Sequence, residues 1–174
     1  FCLGLMSVRA QTAGQILPAY QIAESEVDKS KLGWLVNVTQ ISSGQGVGTV
    51  HGNSWASAEK QIRGGYIDPN TDKAYLNEAD VDAFEGWSYY YYNSEMVNFN
   101  QDAPVEIGNF SASNSKEDLP IPGIPGWGDS TDGIAAEFLT IVYLAKGNYI
   151  FGVNSDGGFS SSSGQLILGY FDGG

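Results

Sequence analysis

The chain has 174 residues and a formal net charge of -12, from 8 basic and 20 acidic side chains. That length suits one domain with a sizeable core, and the charge repels nucleic acid and anionic membrane surfaces, which excludes polyanionic partners. Its 23 glycines and 13 % aromatic residues point to tight turns between apolar strands, hence to an all-β protein.

Residues 1–10, FCLGLMSVRA, have an apolar run from Phe1 to Met6, then small and polar residues with Val8 and Ala10 in an A-x-A-like arrangement. This reads as the remnant of a secretory signal peptide cut before Gln11, with a short buried strand as the competing reading. Cleavage there would remove Cys2, the sole cysteine, and with it disulfides, thiolate zinc sites and cysteine nucleophiles. No apolar run of roughly 18 residues occurs elsewhere, so no membrane insertion is expected.

Residues 11–32 form a polar lead-in, and the folded unit is expected over 33–174. GWLVNVTQI, residues 33–41, alternates as a strand, with Trp34, Val36 and Val38 on one face and Leu35, Asn37, Thr39 and Ile41 on the other. NSWASAEKQIRGG predicts a short helix with Ser54 as N-cap, Trp55, Ala58 and Ile62 on one face, and Gly64 and Gly65 as the stop. DPNTDKAYLNEADVDAF reads as a turn leading into another helical turn, and WSYYYY, residues 87–92, as strand.

Residues 101–130, with their X-Pro bonds and serines, are loop-like. GIAAEFLTIVYL, residues 133–144, and YIFGV, residues 149–153, predict a hairpin turning near Lys146 and Gly147, with helix as the alternative for the first segment. NSDGGFSSSSG is then a turn and QLILGYF a strand. The chain stops at Gly174 without a closing strand, so the fold is expected to be incomplete there, leaving an apolar edge that invites aggregation.

The stretch TDGIAAEFLTIVYLAKGNYIFGVNSDGGF resembles the core of the protective-antigen-type domain, a β-sandwich found in bacterial toxins, glycosidases and flocculin adhesins. GWLVNVTQ, AEKQIRGGYIDP, EMVNFNQD, GNF and IPGIPG, in that order, are similar to a variant of it in large secreted bacterial proteins. The resemblance implies an antiparallel jelly-roll-like β-sandwich with one or two short helices, secreted or at the cell surface and joined to other domains of a larger chain. Such a module is non-catalytic and binds glycans or cell-surface polysaccharide, or only spaces its neighbours. In sugar-binding members two successive aspartates after the Phe-bearing strand hold calcium, and calcium holds the sugar. Asp156 matches the first; Gly157 stands at the second. Asn154, Ser155 and Asp156 are therefore the candidate ligand-binding residues, and Asp156 with Asp132 the candidate calcium ligands. Losing one aspartate should weaken a cation that wants about 6–8 oxygen ligands.

The residues themselves leave the turn open, because Asp beside Gly is also ordinary turn chemistry. Asp68, Asn70 and Asp72 occupy positions of a calcium loop, but Lys73 and Ala79 stand where a glycine and a glutamate are required, so a polar turn is expected. Tyr90, within the tyrosine run, is a candidate sugar-stacking ring, although alternation lets at most half of Tyr89 to Tyr92 line one surface. His51 is the sole histidine and no nucleophile motif occurs. A glycoside hydrolase, needing two carboxylates roughly 5–9 Å apart, is the enzymatic alternative.

Overall fold

The computed structural model describes residues 23–30, 33–46, 52–79, 90–92, 97–100, 118–148, 153, 155, 157–163 and 166–171. Among them are seven strands and one α-helix: β1 (Trp34–Gln40), α1 (Trp55–Ile62), β2 (Ile67–Asp68), β3 (Lys73–Ala74), β4 (Tyr90–Tyr92), β5 (Ile134–Leu139), β6 (Phe159–Ser163) and β7 (Leu166–Phe171). The strands form a sheet in the order β4-β1-β5 and two two-stranded ribbons, β2-β3 and β6-β7. All four strand pairs are antiparallel. The protein is thus small and mainly β, with a single helix among the described residues.

β1 is the central strand, and its alternation decides the two layers around it. Val36 and Val38 join Ala79, Val97, Phe99 and Ile121 in the core, flanked by Trp34, Ile134, Ala136 and Phe138. Phe138 closes this layer, with Trp34 against it edge to face at 6.5 Å and Phe99 stacked at 5.9 Å. The opposite face of β1 carries polar residues, and Asn37 and Thr39 are buried too, Thr39 against Gln61 of α1. A strand covered on both faces must satisfy its polar side chains internally. The Thr39 hydroxyl donates to the Ala135 carbonyl at 3.3 Å and accepts from Gln61 Nε2 of α1 at 3.3 Å, and the same Nε2 donates to the Thr39 carbonyl at 3.1 Å and the Gly133 carbonyl at 2.8 Å.

The helix begins and ends where its signals predict. Ser54 is extended, and its hydroxyl accepts the Ser57 N–H at 3.1 Å. Gly64 adopts φ +65°, and the Gly65 N–H returns to the Lys60 carbonyl at 2.8 Å. Such a left-handed stop satisfies carbonyls that the helix would leave bare.

Two sequence expectations change. The long apolar strand ends at Leu139 rather than 144, because β5 pairs with β1 from Gln40↔Ile134 to Leu35↔Leu139 and runs out of partner where β1 starts. Thr140 then turns its hydroxyl to the Gly33 carbonyl at 2.8 Å, and residues 140–148 carry no strand. Ile141, Val142 and Tyr143 are left 62 %, 55 % and 85 % exposed. Tyr149 to Gly152, the other arm of the expected hairpin, lie outside the described residues. In the second change, the serine run is strand and not turn: β6 pairs with β7 from Phe159↔Phe171 to Ser163↔Leu166, with a register shift at Ser161/Ser162. Serine has little strand preference of its own, and the Leu, Ile, Tyr and Phe of β7 supply what the pairing requires. Residues 74–79 after the DPNTD turn carry no helix, and the rest of that segment, residues 80–84, lies outside the described residues. The leader, residues 1–10, the lead-in up to residue 22, and residues 172–174 lie outside the described residues.

Candidate functional site

Asn154 and Asp156 lie outside the described residues, as do His51 and Asp172. Ser155 is half-buried. The glycines that follow show where this turn sits. A Cβ on Gly158 would come within 2.4 Å of the Trp55 amide nitrogen and 2.7 Å of the Ser54 carbonyl carbon, and one on Gly157 would touch Asn53 at 3.9 Å. Gly157 and Gly158 are therefore seated against the start of α1, the end of a helix that carries partial positive charge.

Asp132 is exposed; its N–H donates to the Ser130 hydroxyl at 3.1 Å and its carbonyl accepts from Gln40 Nε2 at 3.0 Å. Its neighbour Gly133 is tied to Gln61, in the last turn of α1. Trp55 and Gln61 are about 9 Å apart along a helix axis. Tyr90 is in β4, opposite Val36 in register. Of the two candidate calcium ligands, Asp132 alone lies within the described residues, and one exposed carboxylate does not make a cation site by itself. Among the described residues no group of three or more His, Cys, Asp or Glu side chains is placed to hold a metal.

The DPNTD segment is the turn of the β2-β3 ribbon. Asp68 Oδ1 accepts the Asn70 N–H at 2.9 Å and Oδ2 accepts the Thr71 hydroxyl at 2.9 Å, while the Asp72 N–H returns to the Asp68 carbonyl at 2.9 Å. Both carboxylate oxygens serve the turn, and the Asn70 backbone bond foremost holds the Asp68 carboxyl below its ordinary range.

A different group of residues is built to a higher standard of order. Glu78 is fully buried, the one buried carboxylate among the described residues. Its Oε1 accepts the N–H groups of Ser42 at 2.8 Å and Gln45 at 3.2 Å and the Gln45 side-chain amide at 3.1 Å. Its Oε2 accepts the Ser42 hydroxyl at 2.8 Å and the Gly44 N–H at 3.0 Å. Desolvation pushes this carboxyl upward, but the donors of Ser42, Gln45 and Gly44 outweigh it and hold it below the ordinary glutamate range. The backbone of Glu78 is equally engaged: its N–H donates to the Gln40 carbonyl at 2.8 Å and its carbonyl accepts the Trp127 N–H at 2.9 Å.

Trp127 is the exposed end of this arrangement. Its indole is 54 % exposed, yet its Nε1–H is spent on the Asn77 carbonyl at 3.3 Å. The glycines around it are required by close approach. A Cβ on Gly44 would lie 2.7 Å from both Glu78 Oε2 and the Trp127 ring, one on Gly128 would lie 2.5 Å from Glu78 Oε2, and one on Gly126 would lie 1.7 Å from the Glu78 carbonyl oxygen. Beside the ring, Gln45 exchanges two hydrogen bonds with the Leu76 backbone, both at 2.8 Å, and Leu76 itself is 65 % exposed. The result is an exposed tryptophan whose backbone and ring nitrogen are both held by the carbonyls of residues 77 and 78.

No family model matches the chain, and no curated protein or solved structure is similar to it at a significant level. The geometry of its own residues carries the functional argument.

Sequence reasoning singled out neither Glu78 nor Trp127. Glu78 was visible only as a neighbour of a failed calcium-loop position. The usable signal was Gly126-Trp127-Gly128, in a proline-rich loop: a tryptophan between glycines has room for its backbone to approach another chain segment closely while its ring stays at the surface.

Proposed function

We propose that the chain is a non-catalytic carbohydrate-binding module of a secreted or cell-surface protein, of protective-antigen type and jelly-roll-like, joined to other domains in a larger chain. The observation that carries the reading is Trp127, a half-exposed indole fixed by hydrogen bonds from its backbone and its ring nitrogen. Pyranose rings pack their apolar faces on aromatic rings, and a ring already held in place loses little freedom when a sugar stacks on it. The net charge of -12 favours neutral over acidic polysaccharide. Calcium enters this reading through Asp156 and Asp132, and glycan contact through Asn154, Ser155 and Tyr90 is secondary to Trp127.

Glu78 gives no support to the glycoside hydrolase alternative: a buried carboxylate saturated with donors on both oxygens is poorly placed to deliver a proton. The reading is tested on a panel of neutral and acidic glycans, with and without calcium, followed by calorimetry of any ligand found. Trp127→Ala is expected to abolish binding of a neutral glycan while the chain still melts cooperatively, at a temperature lowered by the lost bond to the Asn77 carbonyl. Equal binding by Trp127→Ala, or no glycan bound by the wild type, would refute it. Loss of binding on removing calcium, reproduced by Asp156→Ala, would add the cation to the site.

A further inference from the structure

We infer that Glu78 is the positioning residue of the Trp127 surface, a buried carboxylate that clamps three distant chain segments so that the ring is presented in one orientation. The segments are residues 42–46, 76–79 and 126–129. Five donors from Ser42, Gly44 and Gln45 converge on the carboxylate of Glu78. Its main chain meanwhile holds β1 on one side, through Gln40, and Trp127 on the other. Among the described residues no cationic side chain pairs with it. The three segments carry one other ionisable side chain, the exposed Asp129.

Such a group is expensive to bury unless every lone pair is used, and its removal strands the donors that met it. An amide in its place keeps the shape but turns an NH2 toward N–H and O–H donors. Segment 42–46 should then detach from Glu78 while the core β1-β5 pairing stays. Because Gly44 and Gly128 are in contact across Glu78 Oε2, release of the first segment removes the wall against which the Trp127 ring rests.

The ligand part of this inference rests on the sugar-binding reading, so the main readout is independent of it. Amide hydrogen exchange, followed by NMR on the whole chain, is compared for wild type, Glu78→Gln, Ser42→Ala and Gln45→Ala. In Glu78→Gln the amides of Gly44, Gln45 and Trp127 are expected to lose at least about ten-fold in protection while those of Val36 and Val38 keep theirs, since local opening exposes only the bonds it breaks. Ser42→Ala and Gln45→Ala, which each remove side-chain donors and leave the carboxylate in place, are expected to give the same pattern at smaller amplitude. They decide the matter should Glu78→Gln not fold. Uniform loss of protection across core and surface, or unchanged exchange at Trp127, would overturn the inference. With a glycan ligand in hand, Glu78→Gln should weaken binding about ten-fold or more without the complete loss seen in Trp127→Ala. Absence of any glycan ligand would remove the sugar reading and leave the exchange result to decide the clamp.

Discussion

Gly126→Ala isolates the contact on which the Trp127 loop depends. The added Cβ would sit 1.7 Å from the Glu78 carbonyl oxygen, 2.4 Å from its carbon and 2.5 Å from Gln40 Oε1. Two of those three atoms are backbone, so no side-chain rotation relieves the overlap, and residues 126–128 must move away from Glu78. The move stretches the bond from the Trp127 N–H to the Glu78 carbonyl and the one from the Gly126 N–H to Gln40 Oε1, now 2.9 and 3.1 Å. Losing two such bonds costs about 1–3 kcal/mol, and strain in a filled site adds about 1–3 kcal/mol. A total of roughly 2–6 kcal/mol lowers the melting temperature by roughly 4–24 °C in a chain of this size. The control is Gly52→Ala, where nothing lies within 4 Å of the new carbon and a shift of no more than about 2 °C is expected. Calorimetric melting of both variants beside the wild type measures the difference. If Gly126→Ala melts with Gly52→Ala, the close approach of the two segments is not a feature of the folded protein.

Ser54→Ala removes the hydroxyl that caps α1 and should cost about 1 kcal/mol in denaturant titration, with the helix still present. Asn37 is 2 % exposed and its Oδ1 has no hydrogen-bond partner among the described residues, so Asn37→Val is expected to raise stability by about 1–2 kcal/mol; a loss would show that the amide is engaged. Glu78 also makes an acid prediction. Its folded pKa is depressed, so its stabilising contribution is complete above the ordinary glutamate value of about 4.3 and is lost as pH falls through the lower folded value. Melting temperature should fall more steeply on acidification in the wild type than in Glu78→Gln, and a parallel fall would show that Glu78 is no more perturbed than a surface glutamate. Tyr143→Lys, at a position 85 % exposed in an apolar run, should leave the melting temperature within about 2 °C and reduce self-association in light scattering.

The parts of the fold governed by local signals were legible in the sequence. Ser54 and Gly64 bound α1 because a cap and a left-handed stop are written in neighbouring residues, and the 33–41 alternation marked β1 down to the face that meets the core. What could not be read depended on distant partners. The strand at Ile134 stops at Leu139 because β1 stops opposite it, although Ile141 to Leu144 are as apolar as what precedes them. Ser160 to Ser163 become strand because β7 lies alongside. For the site, the sequence directed attention to carboxylates beside glycines, and that logic fits Asp68, whose turn the structure shows in full. It passed over Glu78, because nothing adjacent to Glu78 in sequence reveals that Ser42 and Gln45 come to it from more than thirty residues away.

That separation has a consequence for anyone who would shorten or transplant the protein. The Gly126 N–H reaches back 86 residues to Gln40, the Trp127 indole 50 residues to Asn77, and Gln45 forward 31 residues to Leu76. No short peptide carries this surface, and a graft of the GIPGWGD loop alone would bring the tryptophan without the contacts that orient it. Closing loops of that length is slow compared with forming a helix or hairpin, which makes the Trp127 indole a natural optical probe for the late assembly of the chain. With Trp34, Trp55 and Trp87 replaced by phenylalanine, its fluorescence anisotropy in a refolding experiment should rise only after the signal from α1 is complete.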